Sequence, residues 1–87
     1  MKTYEDIAKY WEQVATNLLE GRKITKVRYL TKAECKSLGW TNHCVVIHLD
    51  NGVKLFPSMD DEGNNGGALF TSDSKIDCLP VIRDYGD

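Results

Sequence analysis

The segment HCVVIHLDNGVKLF, residues 43–56, constrains the fold of this chain more than any other. Two apolar stretches flank Asn51-Gly52, the residue pair most typical of a two-residue hairpin turn with positive φ at both positions. Such a turn places Leu49 opposite Lys54 across the hairpin. The chain is therefore expected to contain an antiparallel sheet whose central strand is the apolar run before the turn.

Periodicity elsewhere predicts two helices. Thr3 is a good N-cap, and a helix of residues about 4–20 follows it and ends at Gly21. Thr31 and Glu34 have the spacing of a capping box, which begins a second helix of about two turns.

The order of the elements indicates the fold class. Strand-like segments precede the second helix and follow it, and a long polar loop separates the hairpin from the last two strands. The prediction is a single α+β domain over residues 1–87, with a helix of about 4–20 and a β-rich core of about 22–82. We expect a small twisted antiparallel sheet or a half-open SH3-like barrel, packed against the N-terminal amphipathic helix and carrying the short second helix.

The N-terminal helix has one apolar stripe at alternating spacings of three and four residues. Its members are Tyr4, Ile7, Trp11, Val14 and Leu18. The stripe fits a helix lying on its own sheet or one half of a dimer seam. A chain of 87 residues has a thin core, and small domains often gain stability by association. We therefore predict a homo-oligomer, most simply a dimer, with this stripe in the interface.

Charge and composition limit the functional classes. Residues 1–43 carry eight Lys and Arg against five Asp and Glu, whereas residues 44–87 carry three against eight. Such asymmetry suits an anionic partner on one side or a cationic partner on the other, while a net charge of −2 argues against a nucleic-acid partner. The sequence lacks a membrane-length apolar run and a secretory leader, so a cytoplasmic location is expected. Cys35, Cys44 and Cys78 follow no disulfide pattern and are expected to be reduced.

The case for catalysis is weak. Cys44 and His48 are four residues apart on one strand, which separates them by roughly 13 Å and prevents a catalytic dyad. The acidic loop lacks the glycine and the final glutamate of a calcium-binding loop, and His43, Cys44 and His48 lack zinc-ligand spacing. We predict no enzymatic activity, no metal and no cofactor.

The loop FPSMDDEGNNGGALF, residues 56–70, is the strongest candidate site. Long loops in small domains are usually functional or disordered, and apolar flanks favour order here. A ligand would meet phosphate-binding Lys26 and Arg28 on the basic face of the first strand, with Tyr29 or Phe70 stacking on a base. The predicted contacts from the loop are Ser58, Asp60, Asp61, Glu62, Asn64, Gly66 and Gly67. The structural alternative is that Asp60 or Asp61 caps backbone N–H groups within the loop.

Residues 21–70 resemble a family of short phage and bacterial proteins. The resemblance rests on the pattern I-x-x-V-R-Y-x-T, a following G-W, a D-x-G-x-x-L-x-P-S hairpin and the run D-E-G-N-x-x-G-A-L-F. No activity is attached to the family. The resemblance implies an accessory or anti-defence protein that acts by binding, either sequestering a nucleotide signal or blocking a host protein.

Two functional hypotheses follow. The first is a non-enzymatic binding protein that sequesters a small anionic, nucleotide-like ligand between the basic strand face and the loop. The alternative is a protein–protein inhibitor or adaptor that uses the acidic Gly/Asn loop as its contact surface for a host protein. Neither requires a membrane.

Overall fold

The structure, a computed structural model, describes residues 3–83. The helices are α1 (Tyr4–Leu19) and α2 (Lys32–Leu38), and the strands are β1 (Ile24–Tyr29), β2 (Asn42–His43), β3 (Val45–Leu49), β4 (Lys54–Leu55), β5 (Leu69–Phe70), β6 (Cys78–Leu79) and β7 (Ile82–Arg83). Capping boxes begin both helices, at Thr3 with Asp6 and at Thr31 with Glu34. The two helices and the predicted N-terminal caps are thus confirmed.

The strands form three small antiparallel sheets. The largest has the order β1-β3-β4, and two-stranded ribbons pair β2 with β7 and β5 with β6. The α+β class is confirmed. The described strands do not close on one another, and the SH3-like barrel is not confirmed.

The hairpin between β3 and β4 differs from the prediction by one residue. His48 lies opposite Lys54, and Leu49 instead donates its N–H to Val53 O at 2.9 Å. The loop therefore has three residues, Asp50-Asn51-Gly52, and of these only Gly52 has positive φ, at 85°. A three-residue loop that ends in a left-handed glycine is the next most common hairpin connection, and the Asn-Gly pair is compatible with both.

A bulge in β1 decides which side chains share a face of the main sheet. Ile24 lies opposite Leu49 and Lys26 opposite His48, so Thr25 is the extra residue. Beyond the bulge, Lys26 and Arg28 lie on one face, as predicted. Alternation alone would place Ile24 on that face as well. Because of the bulge, Ile24 instead pairs with Leu49 on the opposite face.

The core is small: Val45 and Leu49 are buried on one face of the main sheet, and a hydrophobic cluster lies on the other face, toward α2. Its cluster consists of Leu30, Cys35, Trp40, Cys44 and Val46, with Val81 packed against it. His43 is also buried, and its Nδ1 lies 2.7 Å from the Leu30 carbonyl oxygen. The described cysteines are free thiols, and burial raises the pKa of the Cys44 thiol.

Helix α1 contributes no buried residue to this core. Its last turn is attached to the hairpin by a hydrogen bond from Asn51 Nδ2 to Leu18 O, at 3.3 Å. Neither described helix has the length and apolar character needed to cross a membrane.

Candidate functional site

Asp60 organises the interior of the 58–67 loop. Its carboxylate accepts hydrogen bonds from the Glu62 and Asn64 N–H groups, at 3.0 and 3.2 Å, and from Asn64 Nδ2 at 2.7 Å. These bonds lower the pKa of Asp60, the Asn64 side chain contributing most. Asp60 is therefore an internal cap of the loop, in agreement with the structural alternative considered from sequence.

Asn65 attaches the loop to the folded body. Its Oδ1 accepts from three backbone N–H groups, those of Thr41, Asn42 and Gly66, at 3.2, 3.0 and 2.9 Å. Its Nδ2 donates to Thr41 Oγ1 at 3.1 Å. One amide side chain thus accepts hydrogen bonds from backbone N–H groups both at the start of β2 and at the C-terminal end of the loop.

Trp40 makes a second attachment. Its Nε1–H donates to the Gly63 carbonyl oxygen at 2.7 Å, while its ring lies edge-on to Phe56 with centroids 6.0 Å apart. Because Trp40 also belongs to the core cluster, the loop is coupled to the hydrophobic core.

Gly66 and Gly67 are needed for close backbone approach. A Cβ on Gly66 would lie 2.5 Å from the Asn42 carbonyl oxygen, and one on Gly67 would lie 2.8 Å from the Ser58 carbonyl oxygen. Ser58 and Gly66 form a β-bridge, and Gly67 N–H donates to Pro57 O at 2.9 Å. Gly67 therefore lets the two sides of the loop approach each other, and Gly66 lets the loop approach Asn42. Both glycines were predicted from sequence to contact a ligand.

Two of the predicted loop acids differ from Asp60. Within residues 3–83 the carboxylates of Asp61 and Glu62 form no hydrogen bond or ion pair, and both residues are exposed, as is the neighbouring Met59. The loop therefore exposes two carboxylates on a backbone that hydrogen bonds hold in place.

Arg28 on the basic strand face is already engaged. Its Nη1 and Nη2 donate to the two carboxylate oxygens of Glu34, at 2.7 and 2.9 Å, and its Nε donates to His48 Nε2 at 3.0 Å. Nη1 also donates to Tyr29 O at 3.3 Å. Arg28 thus joins β1 to α2 and to β3, and few of its donors remain for a phosphate.

The same network shifts two titrating groups. The hydrogen bond from Arg28, with further donation from the Thr31 N–H, lowers the pKa of Glu34 to about 2. Desolvation lowers the pKa of His48, and the positive charges of Arg28, Lys54 and Lys26 lower it further. His48 is neutral in this arrangement, since its Nε2 accepts a hydrogen bond from the Arg28 Nε–H group.

The remaining predicted residues are dispersed. The Tyr29 hydroxyl donates to Pro80 O at 2.9 Å, and Tyr29 lies on the sheet face opposite Arg28. Phe70 lies on β5 and is 80% exposed. Within the described chain no hydrogen bond or ion pair joins Lys26 or Arg28 to the 58–67 loop. The predicted residues therefore do not converge on one pocket.

A pocket of about 250 Å³ lies on the basic face, between α2 and the main sheet. We call it the α2 pocket. Its apolar lining is Leu30, Leu38, Val46 and Phe56, and its polar lining is Arg28, Glu34, Ser37 and Lys54. Sequence reasoning missed Ser37, Leu38, Lys54 and Phe56. The alternation of side chains along a strand places Lys54 and Phe56 of VKLF on one face, and this pattern could have identified both residues.

The α1 stripe forms a separate apolar surface. Tyr4, Ile7, Trp11, Val14 and Leu18 are between 37% and 83% exposed. Tyr10 widens this surface, and its ring lies edge-on to Trp11 at a centroid distance of 5.1 Å.

No three His, Cys, Asp or Glu side chains among the described residues are arranged to hold a metal ion. No protein-family model, curated protein or solved structure matches this chain. The functional proposal that follows therefore depends on the geometry of its own side chains.

Proposed function

We propose that the protein is a non-enzymatic protein-interaction module that works as a homodimer joined through the α1 stripe. The observation that carries the proposal is the exposure of all five stripe residues on a helix in which no residue is fully buried. An isolated helix of this length is marginal in water, and most helix stability in proteins comes from packing of the apolar face. A second helix packed on the stripe would supply that stability.

The size of the stripe supports a stable interface. From the exposed fractions of its five residues and of Tyr10, the surface exposes roughly 600 Å² on each chain, so a symmetric pair buries at most about 1,200 Å² through it. That is the lower range of specific protein–protein interfaces. Monomeric proteins rarely leave an apolar patch of this size uncovered unless it has a function.

The residues beside the stripe favour a second copy as the partner. Ala8 and Ala15 flank it on one side, and Tyr10 and Asn17 flank it on the other. Charges at such flanking positions set partner choice and orientation in paired helices, and these four positions carry none. Pairing of two identical stripes therefore meets no like-charge repulsion.

The acidic-loop surface of the inhibitor or adaptor hypothesis is compatible with this dimer. Asp61 and Glu62 are the two loop acids available for it, since Asp60 is engaged internally. The anti-defence role that the phage-protein resemblance implies remains a prediction. Sequestration of a nucleotide between Arg28 and the loop is less favoured, because Arg28 is already bonded to Glu34 and His48.

Sedimentation equilibrium tests the proposal. We expect the wild-type protein at tens of micromolar to have twice the mass of one chain. Trp11→Glu, which places a charge in the seam, is expected to give a monomer with an unchanged β-sheet circular dichroism signal. Lys9→Glu introduces the same residue on the face opposite the stripe and is expected to remain a dimer. A monomeric wild type, or a dimeric Trp11→Glu variant, would contradict the proposal.

A further inference from the structure

We infer that the α2 pocket binds a small organic anion, with an aromatic or aliphatic body against Phe56 and Leu38 and its charged group at Lys54. The inference is independent of the α1 dimer and of the acidic loop. It concerns side chains that lie on or beside α2, β1, β3 and β4 and that meet only in the folded chain.

The pocket has two chemically distinct parts. Leu30 and Val46 are buried, whereas Leu38 and Phe56 remain 46% and 43% exposed and offer apolar surface to a ligand. Ligand sites typically combine such an apolar lining with a few polar groups that fix orientation. A volume of about 250 Å³ is smaller than that of most drug-sized sites, so the ligand is a compact one, such as a single ring with one substituent.

The polar part of the pocket favours an anion. Glu34 is already neutralised by its paired hydrogen bonds with Arg28. Lys54 and Ser37 also line the pocket, and neither side chain forms a hydrogen bond or ion pair with the described residues. Lys54 is therefore the available cation, and Ser37 adds a hydroxyl donor.

The surrounding charges strengthen this preference. Cross-strand pairing places Lys26, His48 and Lys54 in one row across the sheet, and Arg28 lies on the same face. The nearby positive charges of Arg28, Lys54 and Lys26 outnumber the one carboxylate of Glu34, and they contribute to the lowered pKa of His48. A carboxylate or phosphate group would reduce the repulsion within this row.

Amide chemical-shift titration of the full chain with phenyl phosphate tests the inference. We expect saturable shifts at the amides of Ser37, Leu38, Lys54 and Phe56, with α1 unaffected. Inorganic phosphate tests the need for the ring, benzyl alcohol tests the need for the charge, and phenethylamine tests its sign. Each of these three probes is expected to bind at least about fivefold more weakly than phenyl phosphate.

Two matched variants locate the charge. Lys54→Gln is expected to weaken phenyl phosphate binding about three- to fivefold, whereas Lys26→Gln, on the same face but outside the pocket lining, should change it by less than about twofold. Both lysines are exposed, so both variants should retain the wild-type spectrum away from the substitution. The inference is overturned by an absence of saturable shifts at the four amides. Equal binding of benzyl alcohol, or equal effects of the two variants, would also overturn it.

Discussion

Helix α1 and the 58–67 loop show opposite relations between regular structure and packing. The helix has a capping box and four regular turns, yet none of its residues is fully buried. The loop has only an isolated β-bridge, yet Asn65, Trp40 and Gly66 join it to the body by hydrogen bonds and close backbone contact. Local regularity therefore does not identify which segment the fold depends on. In this chain the irregular segment is structural, and the regular one is available for a partner.

The largest effect on stability is expected from Gly66→Ala. The new Cβ would lie 2.5 Å from a backbone oxygen of Asn42, which cannot move away as a flexible side chain could. We expect the free energy of unfolding to fall by about 3 kcal/mol, the upper end for overpacking. Urea denaturation measures it. Gly63→Ala is the control, because its Cβ meets nothing closer than Trp40 at 4.0 Å and it introduces only positive-φ strain, of about 1 kcal/mol. Equal losses in the two variants would show that the close approach is not what matters.

Asn65→Ala is expected to cost about 2 kcal/mol. The substitution leaves the N–H groups of Thr41, Asn42 and Gly66 without their shared acceptor, and unsatisfied groups cost more than a lost hydrogen bond is worth. The matched control in the same loop is Asn64→Ala, because among residues 3–83 the Asn64 side chain hydrogen-bonds only to Asp60, and its loss should cost less. If the two alanine variants melt at the same temperature, Asn65 does not hold the loop to the body.

A smaller effect separates the three loop acids. Asp60→Asn weakens an internal cap and should lower Tm by a few degrees, whereas the double variant Asp61→Asn/Glu62→Gln should leave Tm unchanged or slightly raised. From sequence, all three acids were predicted to contact a ligand, with capping by Asp60 or Asp61 as the structural alternative. Differential scanning calorimetry measures Tm for the two variants. Equal Tm values would show that Asp60 matters no more for folding than Asp61 and Glu62 do.

The smallest expected effect is a pH dependence from the Arg28 network. Glu34 has a folded-state pKa of about 2 against an ordinary 4.5, so its contribution to stability is complete above pH 4.5 and is lost as pH falls toward 2. The pKa of His48 is lowered below 6.5, so the folded state binds fewer protons than the unfolded state just below that pH. Stability should therefore begin to fall as pH drops below 6.5.

His48→Gln, which keeps an acceptor for Arg28 Nε, tests the histidine part of this pH dependence. The variant should flatten the decline just below pH 6.5 and leave the decline below pH 4.5 in place. Urea midpoints at a series of pH values measure both parts. A wild-type midpoint that rises on acidification from pH 6.5 would have the wrong sign for this account.

Sequence patterns could predict the parts of the fold that depend on local chemistry. Thr3 and Thr31 are caps recognisable from neighbouring residues, and the apolar run before Asn51 identified the central strand. The hairpin register was missed because Asn51-Gly52 fits both two- and three-residue loops, and the difference depends on pairing between whole strands.

The candidate site was less predictable because its geometry depends on contacts distant in sequence. Asn65 bonds to backbone 23 and 24 residues away, and nothing local distinguishes it from Asn64. The engagement of Arg28 with Glu34 and His48 depends on how α2 crosses the sheet. Lys26 and Arg28 were correctly placed on one face, but the pocket on that face is completed by Lys54 and Phe56 from the hairpin.

Amide hydrogen exchange of the full chain, measured at several protein concentrations, tests the contrast between the loop and α1 most directly. The account predicts that the Met59 and Gly67 amides, bonded to Asn65 O and Pro57 O, are protected nearly as well as the β3 amides at every concentration. It predicts that α1 amides exchange quickly in dilute solution and become protected as the concentration rises and dimers form. Loop amides that exchange as fast as free peptide, or α1 amides whose strong protection is independent of concentration, would contradict it.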